Sequence, residues 1–154
     1  TPAGREFEPI VEALGIWGQR WSRRTLEKHE VNVPLLMWAL EQHVKPGAFG
    51  ARRCVVKLTF TDQPAATRDW WFVNESRSTE LCFEAPGFEE DMFLVTTLAD
   101  MIFIYRGDMT LAHAIECGRL EAHGSAWARR ALGRWLQPSP IAHVKSQRSD
   151  EMAA

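Results

Sequence analysis

Phe7, Ile10, Val11, Leu14, Trp17 and Trp21 recur at intervals of three and four residues, the spacing that gathers side chains on one stripe of an α-helix. The pattern predicts a long helix over residues 2–25, with Thr1 as N-cap and Pro2 in the first turn. Pro9 sits inside it, where it removes the bond to the Arg5 carbonyl and predicts a kink, and Gly15 and Gly18 weaken it further. Such a helix depends on what its stripe packs against, either the rest of the chain or a second copy. Phe7, Ile10, Leu14, Trp17 and Trp21 are therefore the candidate joining residues of an expected homodimer.

A second helix is expected over residues 33–44, starting at Pro34 and stopped by Lys45-Pro46-Gly47. Cys54, Val56, Leu58 and Phe60 then alternate with Val55, Lys57 and Thr59, the period of two that marks a strand. Residues 61–67 read as a polar turn, residues 70–74 and 80–84 as two strands of a hairpin, and residues 91–96 as a fourth strand. Helical spacing returns over residues 97–105 and 110–116, closed by Gly107 and Gly118. A short strand at 119–122 and a last helix capped by Ser125 follow, then a polar tail expected to be disordered beyond Lys145. This order predicts an α+β fold, a five-stranded, mainly antiparallel sheet with helices on one face, preceded by the long N-terminal helix.

Clean alternation fails at Trp70, Trp71, Phe72 and Val73, which are apolar on both parities, so something has to cover the second face of the sheet there. The N-terminal helix is the expected cover. Which of Trp70 and Trp71 points inward is open, because a one-residue shift of register exchanges them. Between the inner face and the helix at 97–105, the expected lining is Phe60, Trp71, Phe72, Leu81 and Phe83 from the strands. Met92, Leu94, Met101 and Tyr105 complete it. Flexible Met and flat aromatic side chains suit an adaptable apolar cavity, with Tyr105 as its polar handle, and they suit a filled core equally well.

The chain has 154 residues, a size that holds a core without disulfides or a structural metal. A net charge of −2 argues against an isolated nucleic-acid-binding domain. The charge is nonetheless polarised: residues 78–105 carry six acids and no Lys or Arg, and residues 125–148 carry five Lys or Arg and no acid. Cys54, Cys82 and Cys117 are odd in number and far apart, which predicts free thiols and a cytoplasmic protein. No membrane span or signal peptide is evident, and the start at Thr1 rather than Met points to a piece of a longer protein.

Catalysis needs a nucleophile, a base and oxyanion donors together, or an open metal site, and no such set shows. His113 and Cys117 are four residues apart on a helix, a spacing that serves two zinc ligands, but no further ligands stand out. Glu89-Glu90-Asp91 reads as a solvated start of a strand sooner than as a cation site. No enzymatic activity, metal or cofactor is expected.

Gly107-Asp108, Leu111, Ala114, Gly118-Arg119-Leu120-Glu121 and Gly124 resemble the C-terminal half of sterol carrier protein type 2-like domains, as does the passage from Phe93 to Asp100. Separately, Thr1-Pro2-Ala3-Gly4-Arg5, Pro9, Leu14-Gly15 and Trp17-Gly18 resemble the end of the winged-helix domain of HxlR-type transcription regulators, where a dimerisation helix follows the wing. Regulators joining the two modules carry a Trp-Trp pair, an acidic Pro-Gly-Phe turn and a closing Trp-Leu-x-x-Ser-Pro run. Trp70-Trp71, Glu84 to Phe88 and Trp135 to Pro140 match these. The resemblance implies a helix after the winged-helix domain (1–29), a sterol carrier protein-like domain (30–143) and a tail (144–154). It implies a non-catalytic domain that senses a small hydrophobic ligand or supports a dimer, touching DNA only through an N-terminal winged-helix domain that this chain does not contain. The alternative it leaves is a lipid-binding accessory domain of an enzyme, since similar domains also end acyltransferases, isomerases and sulfatases.

Overall fold

The computed structural model describes residues 1–21 and 32–147. Helix α1 (Pro2–Trp21) runs uninterrupted through Pro9, and its expected continuation to Thr25 lies outside the described residues. Helix α2 (Val33–His43) starts where Asn32 accepts the Leu35 N–H and ends before Lys45-Pro46, with a 3-10 turn at Pro46–Phe49. Next come β1 (Cys54–Phe60), a one-turn helix α3 (Ala65–Arg68) inside the expected polar turn, β2 (Asp69–Glu75), β3 (Ser78–Cys82) and β4 (Met92–Thr96). Helices α4 (Leu98–Arg106) and α5 (Leu111–Glu116) begin at the hydroxyl caps Thr97 and Thr110. Strand β5 (Leu120–Gly124) and α6 (Ala126–Trp135) complete the described elements.

The five strands lie in the order β3-β2-β1-β4-β5, antiparallel at every pair but β1–β4, which is parallel. The α+β class and the five-stranded, mainly antiparallel sheet follow the sequence pattern. Register decides the faces. Val56 pairs with Phe72 and Met92, Leu58 with Trp70 and Leu94, and Phe72 with Leu81, so these side chains share the face under the helices. Lys57 pairs with Trp71 and Phe93, which puts those three on the other face.

That second face is covered otherwise than expected. Strand β3 lies at one edge and β4 beyond β1, so the chain between Cys82 and Met92 has to pass β2 and β1. Along this crossover Glu90 accepts the Trp71 indole N–H at 3.0 Å, and Phe88 lies under the Arg53 guanidinium at 4.1 Å. Asp91 donates its N–H to the Val55 carbonyl and accepts the Val55 N–H on its carboxylate. Val55, Trp71 and Val73 are buried as a result, with the acidic Glu84–Asp91 stretch as the cover and α1 playing no part. Gly124, at φ 119°, lies against the Asp91 backbone so closely that a Cβ would strike it.

On the helix face, Trp135 and Asn74 join the layers. Asn74 is wholly buried on β2; its amide donates to the Cys54 and Phe72 carbonyls, and its oxygen accepts from Thr79 Oγ1 at 2.9 Å and Trp135 Nε1 at 2.7 Å. The Trp135 ring meets Phe72 edge-on, with centroids 5.3 Å apart, and leans on Phe49 at 5.9 Å. Asn74→Ala would leave the buried indole N–H without an acceptor, and we expect it to lower stability by about 3 kcal/mol in urea unfolding. Asn74→Asp keeps an acceptor for the indole but sets a buried carboxylate oxygen against the Cys54 and Phe72 carbonyls. It should therefore cost at least as much at pH 7, and less as the pH falls and the carboxyl is protonated.

Candidate functional site

Of the nine expected lining residues, five come together as one layer between the sheet and α4. Phe60, Met92 and Met101 have no accessible surface, and Phe72 and Leu94 have 1%. A void wide enough for water would leave surface on these side chains, so the space between sheet and α4 is filled in this conformation. Met37 of α2 belongs to the same core cluster, equally buried. Leu81 is half-buried at the edge strand, where Glu41 of α2 accepts its backbone N–H at 3.1 Å.

Two expected lining residues are elsewhere. Trp71 is on the second face under the crossover, and Trp70 is the inward member of the pair, its indole donating to the Thr67 carbonyl at 2.9 Å. Phe83 is 73% exposed. It lies one residue past the end of β3, where the chain turns into the crossover and alternation with Leu81 stops governing its direction.

Tyr105 is half-buried at the rim of the layer. Its hydroxyl lies 2.9 Å from His43 Nδ1, which is also 2.7 Å from the Ala39 carbonyl. A carbonyl only accepts, so the proton belongs on Nδ1, shared between the Ala39 carbonyl and the Tyr105 oxygen, and the Ser139 side chain also hydrogen-bonds the Tyr105 hydroxyl. Ser139 in turn donates its backbone N–H to the Tyr105 carbonyl at 2.7 Å. Burial pushes the Tyr105 hydroxyl above its usual pKa, partly offset by Ser139. The expected polar handle is thus a latch tying α2 and α4 to the segment after α6. His43 escaped the sequence pattern because it falls at a helix end with no periodic signal; Asn74, polar within an apolar strand, was the visible sign of a buried polar junction.

Among the described residues nothing covers the sixfold stripe of α1. Phe7, Ile10, Val11, Leu14, Trp17 and Trp21 are 44–61% exposed. The helix touches the body from its opposite side, where Gln19 donates to the Arg106 carbonyl at 3.1 Å and the Gly15 backbone approaches Ile141. Gln147 donates its N–H to the Arg20 carbonyl, which holds the start of the tail in place; the tail from residue 148 lies outside the described residues.

His113 and Cys117 line an open cleft of about 490 Å³ at the α4–α5 junction, with Phe103, Asp108, Met109 and Arg119. Among the described residues, no three His, Cys, Asp or Glu side chains cluster as metal ligands, and no helix is long and apolar enough to cross a membrane. Glu90 and Asp91, part of the acidic run, are engaged with Trp71 and Val55.

No family model and no curated protein matches the chain. Among solved structures it is similar to a double mutant of the sec-alkyl sulfatase Pisa1, at 14% identity and a TM-score of 0.52, over 75% of this chain and 17% of that one. Pisa1 from Pseudomonas sp., described as a stereoselective inverting sec-alkylsulfatase, matches at 15% identity and 0.49, over 66% and 16%. The chain thus spans about one sixth of the sulfatase. The palmitated SCP2L2 of Aedes aegypti matches at 17% identity and 0.45, over 73% of this chain and 93% of that one. At these identities the likeness concerns the fold.

The three cysteines differ sharply in environment. Cys54 is buried, and desolvation, helped by the Asp91 charge, pushes its thiol pKa up to about 12; Cys117 is exposed. In the native protein at pH 8, a thiol reagent should label Cys117 first and Cys54 only on unfolding, read by peptide mass spectrometry. Because the folded pKa of Cys54 exceeds the ordinary 9.0, its ionisation favours the unfolded chain, so this stability is intact below pH 9 and falls above it.

Proposed function

We propose that this chain is a non-catalytic effector domain of a bacterial transcription regulator, in which α1 joins two copies and the body supports that joint. The observation that carries this reading is the unpartnered apolar stripe of α1 beside a core that is already closed. Six large side chains half in water form a patch of the size that monomers seldom expose. DNA contact belongs to a winged-helix half expected ahead of Thr1, and no residue of this chain is assigned to it. Asn74, Tyr105 and Thr96, whose hydroxyl donates to the Arg119 carbonyl at 2.7 Å, bind elements of the body together, which favours a supporting role for it. A cytoplasmic location goes with this role.

A ligand-sensing role is the second reading, favoured by the three methionines Met37, Met92 and Met101 in one buried cluster. Unbranched, polarizable side chains repack at low cost, so a small apolar molecule would enter by displacing them and releasing the Tyr105 latch.

Two measurements separate the roles. Sedimentation of the wild type should give a dimer, and Trp17→Ala with Trp21→Ala should shift it to monomer with the thermal midpoint of the body nearly unchanged; a monomeric wild type sinks the joining role. Native mass spectrometry and a thermal-shift series of fatty acids and sterols test the sensor. Retained ligand, or a midpoint raised by several degrees and abolished by Met101→Trp, supports it, and a flat series leaves α1 as the working part.

A further inference from the structure

Phe7, Ile10, Leu14, Trp17 and Trp21 alternate intervals of three and four, a strict seven-residue repeat in which Phe7, Leu14 and Trp21 take the first core position (a) and Ile10 and Trp17 the second (d). The back of the helix is held by the body through Gln19 and Gly15, so this seam faces outward. Glu6 and Arg20 occupy the flanking g positions and Val11 and Gly18 the flanking e positions. These flanks distinguish the two ways of pairing a second copy. Side by side in the same direction, g faces e, and Glu6 and Arg20 meet no opposite charge on the partner. Reversed, g faces g, and Glu6 of each copy meets Arg20 of the other. The reversed layering also stacks Phe7 on the partner's Trp17 and Ile10 on the partner's Leu14. A Cβ at Gly18 would meet nothing within 4 Å, so its own chain does not require the glycine, whereas an approaching Phe7 ring would use the room.

We propose that two copies of this chain pair through α1 in antiparallel register, Phe7 against Trp17 and Ile10 against Leu14, closed at both ends by Glu6–Arg20. This rests on α1 being the joining element and adds its direction and partners. The stripe offers about 600 Å² per copy, about 1,200 Å² in all, at the lower edge of specific interfaces. End charges therefore weigh heavily in choosing the register.

The test uses the full chain with Cys82→Ser and Cys117→Ser. Phe7→Cys and Trp17→Cys are made separately, oxidised alone and as an equimolar mixture, and resolved without reductant. Antiparallel pairing predicts a strong mixed disulfide and weak self-crosslinking; strong self-crosslinking of each variant alone means parallel pairing and overturns the register while leaving the joining role. Glu6→Arg should weaken the dimer about tenfold at low salt, and Glu6→Arg with Arg20→Glu should restore it to within threefold. A dimer unchanged by Glu6→Arg overturns the register, and a wild type that stays monomeric overturns both the register and the joining role.

Discussion

The indole N–H of Trp135 lies in a layer of aromatic and aliphatic side chains, and the acceptor within its reach is the buried oxygen of Asn74. That pair fixes more than one bond. Asn74 also holds the carbonyls of Cys54 and Phe72, so β1, β2 and α6 are placed relative to one another by one amide whose donors and acceptor are all engaged. A slip of β2 by one residue would point the amide at the second face and strand the indole, at a cost of a few kcal/mol for each unsatisfied group. Register, and with it which of the paired tryptophans lies under the helices, follows from this polar contact as much as from the apolar pattern.

With β2 fixed, the remaining burial is determined. Phe72 lies under Trp135, Trp70 points inward, and Trp71 has to go outward, where an uncovered indole would be costly. The crossover answers this because topology sends it over the same strands, and it brings Glu90 to the indole N–H while Lys57 lies 5.0 Å from the ring centroid. Acids that looked like a solvated surface run, or a cation site, are the polar partners of a covered face. The second layer costs no additional helix, which leaves α1 free for another partner.

Much of this was legible in the residues. The alternation of Cys54–Phe60 and the hairpin after it gave β1 to β3, and the hydroxyl and glycine signals placed α4 and α5 within a residue or two. Five of the nine lining residues do share one buried layer. What escaped was whatever depends on chain path beyond a strand's end: Phe83 keeps the parity of Leu81 but not the strand that gives parity meaning, and Trp71 could be placed only once its partner on β1 was known. The filled state of the layer was also out of reach, because the same Met and Phe residues line a cavity or close one according to how far the helices approach.

A closed interior and an open stripe make opposite demands on the same chain. Apolar side chains turned inward in the body are satisfied by the helices above them, held by Tyr105, His43 and Ser139 at the rim. Those on α1 are held away from the body by contacts on the helix's other side, through Gln19, Gly15 and the Gln147–Arg20 bond. A helix bound by its back cannot turn its seam onto its own sheet without breaking these contacts, so among the described residues nothing is placed to bury the seam. Any ligand that loosened the rim at Ser139 would disturb the 139–147 segment on which α1 rests, and the joint and the core would then be coupled through a stretch of nine residues.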